Sequence, residues 1–290
     1  MLQDYLVPET VEQALSHLQE NKGKARIIAG GTDLLLDLKE GKKEAGILVD
    51  ITKIPGLQMI TVENGFVRIG AAVTHNQVAK SDIIRDKASV LAQAARSVGS
   101  LQIRNSGTVV GNVLNAQPAA DTAVALTALG AVAEILSPAA KENLPVEDLY
   151  AGLGKSAVDS ASQLLTMVQF PALSTNQGSA FERLEQRKAL ALPMLNVAVV
   201  VSLSGEQFEW ARIVMAPVGT KPVRATGSEA ILTGARVTSE IIEKAAGAAI
   251  AQANPRDSAL RGSREYRLEV LPVLVRRALE SAVAQAKANS

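Results

Sequence analysis

Cysteine is absent from this 290-residue chain, and histidine is nearly so, with His17 and His75 the only two. Without thiols the chain holds no disulfide, no thiolate-ligated zinc and no cysteine-bound iron–sulfur cluster. Two isolated histidines with no cysteine beside them offer little to a metal ion. Aromatic residues make up 3%, which argues against the stacking platforms that single-stranded nucleic acids need. The formal net charge is +1, so no global positive field exists to attract nucleic acid or an anionic membrane. No apolar run approaches the ~20 residues of a membrane helix. The opening segment, MLQDYLVPETVEQAL, has neither the basic start nor the apolar core of a secretory signal. A cytoplasmic protein with no membrane span and no nucleic-acid partner is expected.

What is present describes a core-forming chain: 47% hydrophobic and 20% charged residues. Thr10 and Gln13 form a capping-box pattern, followed by a helical face of Val11, Ala14, Leu15 and Leu18. A β run from Arg26 to Ala29 leads into two glycines and an apolar stretch headed by Thr32 and Asp33. Segments 46–51, 57–62 and 66–71 read as strands, the last two joined by an Asn64-Gly65 hairpin turn. SVLAQAARSVG and TAVALTALG read as helices and AVAEIL as a strand. Beyond Tyr150, segments 160–170, 195–203 and 207–215 read as strands. Two helical stretches close the chain, the second kinked by Pro272 or starting there. The polar segment 172–179 is the expected linker. The pattern is α+β in two parts, with no repeat of fixed period.

Several familiar sites are missing. AGLGKS (151–156) fails as a phosphate loop because Leu149 stands where the first glycine belongs. No G-x-G-x-x-G follows a strand and no G-x-S-x-G occurs. His17 reads as a helix-surface residue, and His75 either touches a ligand or caps the next helix. Two glycine-bearing segments remain. AGGTDL (29–34) follows a β run, and its glycines permit positive φ and close approach of backbone N–H groups to an anion. SGTVVGNVLNAQPAAD (106–121) is nearly uncharged and rich in amides. Thr108, Asn112, Asn115 and Gln117 supply hydrogen bonds there, and Gly107 and Gly111 open the backbone. Together they suit a neutral wall of donors around a pyrophosphate, with Asp121 as an acceptor for sugar hydroxyls.

These segments resemble the flavin subunits of the molybdenum hydroxylases, of the xanthine dehydrogenase and carbon monoxide dehydrogenase type. In that family AGGTDL is a first FAD loop, and QIRNSGTVVGNVLNAQPAAD (102–121) matches the second. VRIGAAVTH, RLEQRKALALPMLNVAVVV and RGSREYRLEVLPVLVRRAL extend the match along the whole chain in the same order. Two residues depart from the pattern, Val110 for a glycine and Gln117 for a serine. Both read as tolerated variation, although a β-branched residue at 110 restricts positive φ and would weaken FAD binding if it crowded the phosphates.

The resemblance implies a PCMH-type (vanillyl-alcohol-oxidase-like) FAD-binding fold of two α/β subdomains plus a smaller C-terminal α/β domain. The expected boundaries are 1–174, divided into about 1–54 and 55–174, and then 178–290. It assigns Ala29, Gly30, Gly31, Thr32, Asp33 and Leu34 to the phosphate region of FAD. Thr108, Gly111, Asn112, Asn115 and Asp121 complete the phosphate and ribose contacts. Ile69, Leu165 and Val199 fall near the cofactor. No residue is assigned a catalytic acid–base role, and no metal site is expected. The implied function is electron transfer: a large molybdopterin subunit oxidises substrate and a small [2Fe–2S] subunit passes electrons to FAD here. NAD⁺ or another acceptor then takes them. A self-sufficient flavin oxidoreductase of the same fold, and a scaffold subunit with a weakened FAD site, are the alternatives.

Overall fold

A computed structural model of the protein describes residues 2–187 and 190–289. The first helix, α1 (Val11–Glu20), begins where Thr10 Oγ1 accepts from the Gln13 N–H at 3.1 Å. The return bond runs from the Glu9 N–H to Gln13 Oε1 at 2.8 Å, one residue upstream of the usual capping box. Its buried Ala14 and Leu18 cover a parallel sheet of β1 (Asp4–Leu6), β2 (Ala25–Ile28) and β3 (Ile47–Asp50), in the order β1-β3-β2. Between β2 and β3 lies α2 (Leu34–Lys39), which buries none of its residues.

Next come β4 (Ile60–Glu63) and β5 (Phe66–Gly70). The turn between them has φ of 51° at Asn64 and 79° at Gly65, as a two-residue hairpin requires. Six helices follow: α3 (His75–Lys80), α4 (Asp82–Lys87), α5 (Ser89–Ser97), α6 (Leu101–Ser106), α7 (Val109–Leu114) and α8 (Asp121–Ala128). All of α8 is buried, which its run of small residues allows. Then β6 (Val132–Leu136), β7 (Lys141–Pro145), the short hairpin β8 (Tyr150–Gly152) and β9 (Lys155–Ser156), and β10 (Leu164–Pro171) complete this part. Its main sheet is antiparallel, in the order β4-β5-β10-β6-β7.

The C-terminal part is an antiparallel sheet of β11 (Gln177–Leu184), β12 (Leu195–Ser204), β13 (Gln207–Ala216) and β14 (Val223–Arg224), in sequence order. Helices α9 (Thr226–Leu232), α10 (Ser239–Ala248) and α11 (Arg264–Asn289) cover one face. The other face joins the core around α5 and α8, through Ala198, Val200 and Val214. Burial on both faces explains the unbroken apolar run of β12.

Two sequence expectations change here. Residues 177–179, expected as linker, form the start of β11. Their small polar character comes from close packing on α11: a Cβ at Gly178 would lie 2.0 Å from Ala282 O. Ser179 is 3% exposed, and its N–H donates to Gln285 Oε1 at 2.7 Å. Pro272 is not a helix start but lies inside α11. Proline there forfeits a backbone bond, and burial of Leu271, Leu274, Val275, Ala278 and Leu279 along the same helix offsets that cost.

Candidate functional site

Ala29 and the glycine pair leave the carboxyl end of β2, the end at which parallel sheets carry ligands. Gly31 takes a φ of +67°, which a side chain rarely tolerates. Gly30 has a different task. A Cβ there would fall 2.1 Å from Ser106 O and 2.9 Å from Gly107 Cα, so the two glycine-bearing segments touch backbone to backbone. The N–H groups of Gly30, Gly31, Thr32 and Asp33 find no protein acceptor among the described residues.

The second segment holds the short helix α7 and leads into the start of α8. Thr108 is 4% exposed and caps α7, accepting from the Gly111 N–H at 3.0 Å. A Cβ on Gly111 would lie 2.8 Å from that same hydroxyl, so this glycine makes room for the cap. Val110 sits within α7 and is 3% exposed. Its position requires no positive φ, which removes the conformational objection to a β-branched residue there. Asn112 Oδ1 accepts from Thr122 Oγ1 at 2.7 Å, which leaves its amide NH₂ to donate elsewhere.

A cleft of about 1100 Å³ opens between these segments and the C-terminal sheet. It is lined by Ala29, Gly30, Gly31, Thr32, Asp33, Leu34, Thr108, Gly111, Asn112, Asn115, Asp121 and Leu165, together with Gln117. A second cavity of about 580 Å³ shares Ala29, Gly30 and Thr108 with it and continues past Thr52, Gln58 and Asn76. Two expected residues stay outside both. Ile69 on β5 is fully buried in the first core, and Val199 on β12 faces the second core beneath the C-terminal helices. In a strand with period two, Ala198 and Val200 take the opposite face from Val199.

Sequence reasoning missed several lining groups: Arg26, Lys42, Lys43, Arg183, Leu192 and Arg261. Each is brought in by tertiary packing, without a local signal. AGLGKS, rejected as a phosphate loop, supplies the β8–β9 turn, and its Gly154 and Ser156 line the cleft. Among the described residues no cluster of three or more potential metal ligands exists, and no helix is long and apolar enough to cross a membrane.

Asp121 is 5% exposed. Asn196 Nδ2 donates to its Oδ1 at 2.6 Å, and Arg183 Nε lies 3.3 Å from the same oxygen without the alignment of a hydrogen bond. Burial raises its carboxyl above the ordinary carboxylate range, and Arg183 and Asn196 pull it back in part. Arg183 also pairs with Glu185 and donates to Ala191 O. Asp121 thus binds the amide-rich segment to the C-terminal sheet as well as facing the cleft.

His75 also lines the cleft. Burial, helped by the charge of Arg104, lowers its pKa to about 4. The unfolded chain, with histidine near 6.5, then binds more protons than the native one as pH falls from about 6.5 to 4. Native stability is therefore full above pH 6.5 and declines through that window, by at most about 1.4 kcal/mol per pH unit from this residue. Urea titrations of the flavin-free chain at a series of pH values are expected to show this decline, and His75→Leu is expected to flatten it.

Residues 1–173 match the family described as FAD binding domain in molybdopterin dehydrogenase, and residues 179–282 the CO dehydrogenase flavoprotein C-terminal domain. The chain is 29% identical to the carbon monoxide dehydrogenase medium chain of Hydrogenophaga pseudoflava, over 97% of each protein. It is 31% identical to the 6-hydroxypseudooxynicotine dehydrogenase complex subunit alpha of Paenarthrobacter nicotinovorans, covering 98% of this chain and 95% of the relative. The xanthine dehydrogenase FAD-binding subunit of Escherichia coli O157:H7 is 28% identical over 96% of this chain and 94% of its own length. The fold superposes on a chain of Hydrogenophaga pseudoflava carbon monoxide dehydrogenase with a TM-score of 0.91, at 29% identity and 98% coverage of each chain.

Proposed function

Since the chain belongs to the FAD-binding medium subunits of the molybdenum hydroxylases, the family of the carbon monoxide and xanthine dehydrogenase flavoproteins, we propose that it holds FAD in the cleft and relays electrons within a larger oxidoreductase complex. The observation that carries this reading is the donor set where the two glycine segments meet. Four backbone N–H groups, from Gly30 to Asp33, have no protein acceptor among the described residues, and the amides of Asn112, Asn115 and Gln117 line the same cleft. Such a set neutralises a pyrophosphate through oriented dipoles without a dedicated ion pair. The residues present therefore fit the cofactor.

In this assignment Ala29 to Leu34 hold the phosphates from one side, and Gly111, Asn112, Asn115 and Asp121 complete the phosphate and ribose contacts from the other. Thr108 acts through the cap that shapes the second segment, and Leu165 supplies apolar wall. When bound, FAD takes single electrons from [2Fe–2S] clusters and delivers them to NAD⁺ or another acceptor. The family resemblance implies that the clusters belong to a small partner subunit and the molybdopterin to a large one; this chain itself has no cysteine to hold a cluster. The chain's own work is to bind and orient the flavin and to keep a route open to the acceptor.

A visible spectrum of the purified chain, with and without added FAD, tests this reading. Bound flavin bands are expected, together with co-purification of a cysteine-rich small subunit and a molybdenum-containing large one. No flavin after reconstitution would favour a scaffold subunit. Bleaching of the isolated chain by a substrate of its own would favour a self-sufficient enzyme.

A further inference from the structure

The ring of His75 has no role in the cleft as described so far. The residue is 2% exposed, and its Nδ1 is buried with no hydrogen-bond partner among the described residues. Its backbone N–H donates to Gly107 O at 3.0 Å, and Thr74 and Gln77 close the capping box that starts α3. A buried polar atom without a partner is unfavourable and rare in native interiors, and an apolar side chain would fill the same place without that cost.

The ring stands where the two glycine segments meet. A Cβ on Gly107 would lie 3.4 Å from Thr32 Oγ1 and 3.5 Å from His75 Cδ2, so both side chains converge on one point of the second segment. Both also line the cleft. The ring is kept neutral by burial and by nearby Arg104, whose Nη1 is held by the Val98 and Gly99 carbonyls at 3.0 and 3.1 Å. A neutral imidazole offers one N–H and one acceptor nitrogen, which adds a donor to this wall without adding charge. Tyr150 marks the contrast: its buried hydroxyl is also unpartnered, but it lines neither cavity.

We propose that His75 is a cofactor-binding residue whose neutral imidazole hydrogen-bonds FAD, beside Thr32 in the seam between the two segments. This rests on the reading of the cleft as the FAD site. The role predicts effects of opposite sign on stability and on affinity, which a merely structural histidine would not produce.

The test uses the full-length chain stripped of flavin, with His75→Leu and His75→Gln beside the wild type. FAD affinity is read from flavin fluorescence, and thermal midpoints from the FAD-free proteins at pH 7.5. His75→Leu is expected to raise the Kd for FAD roughly 10- to 100-fold, with a flavin-free midpoint at or above that of the wild type. His75→Gln, which keeps a donor and an acceptor, is expected to recover most of the affinity. An unchanged Kd in His75→Leu overturns the proposal. So does a parallel loss of midpoint and affinity in both variants. A wild-type chain that binds no FAD overturns the functional reading itself, and this inference with it.

Discussion

Gly30→Val is expected to leave the purified chain without flavin, whereas Gly31→Ala retains part of it. The two glycines are adjacent but carry different constraints. At Gly30 an added Cβ meets only backbone: Ser106 O at 2.1 Å, Ser106 C at 2.7 Å and Gly107 Cα at 2.9 Å. None of these atoms belongs to a flexible side chain, so the two segments must separate. Separation destroys the donor wall that both segments build. The expected cost is at the upper end of overpacking, about 3 kcal/mol, read as a lower urea midpoint alongside the lost absorbance. At Gly31 the added Cβ meets the side-chain ends of Ile28 and Leu35, both at 3.1 Å, which can yield. What remains is the strain of a φ of +67°, about 1–2 kcal/mol. Wild-type flavin content in Gly30→Val would show that the seam between the segments does not form the site.

Asp121→Ala is expected to destabilise the chain by roughly 3 kcal/mol, the lower end of the cost of breaking a buried ion pair. The lower end applies because Arg183 keeps Glu185 as a partner. Asn196, fully buried, loses the acceptor that lies 2.6 Å from its amide. Asp121→Asn separates the two tasks of this residue. An amide of the same shape keeps an acceptor for Asn196 while removing the charge, so it costs less stability than alanine. If Asp121 also accepts from the FAD ribose, Asp121→Asn weakens flavin binding about tenfold or more in a chain that still folds. A variant with a near-native urea midpoint and unchanged FAD affinity would confine Asp121 to holding the C-terminal sheet.

Both glycine-bearing segments were legible in the sequence because their demands are local. Paired glycines after a β run, and an amide-rich stretch without charge, state their physical requirements in consecutive residues. The hairpin at Asn64-Gly65 and the cap at Thr10 are legible for the same reason. Local reading failed where a residue's surroundings come from elsewhere in the chain. The run in β12 has no alternation to show which side each residue takes, since both faces are buried; Val199 faces the core beneath the C-terminal helices, and it was resemblance that had placed it at the cleft. Ile69 was carried there by resemblance, while the packing of β5 encloses it.

Ser179 looked like linker because its polarity answers to Ser89 and Gln285, residues far away along the chain. The sequence alone determined that no iron–sulfur cluster is held by this chain's own cysteines, because a missing residue type needs no structure to exclude it. It also singled out the two glycine-bearing segments, one with paired glycines after a β run and one rich in amides and without charge until Asp121. Only the tertiary structure decided that Gly30 serves the contact between segments, that Val110 is helical, and that Asp121 is partnered by Arg183 and Asn196. Those facts depend on which backbones and charges meet across the fold. Burial makes such meetings energetically decisive, and no local pattern in the chain records them.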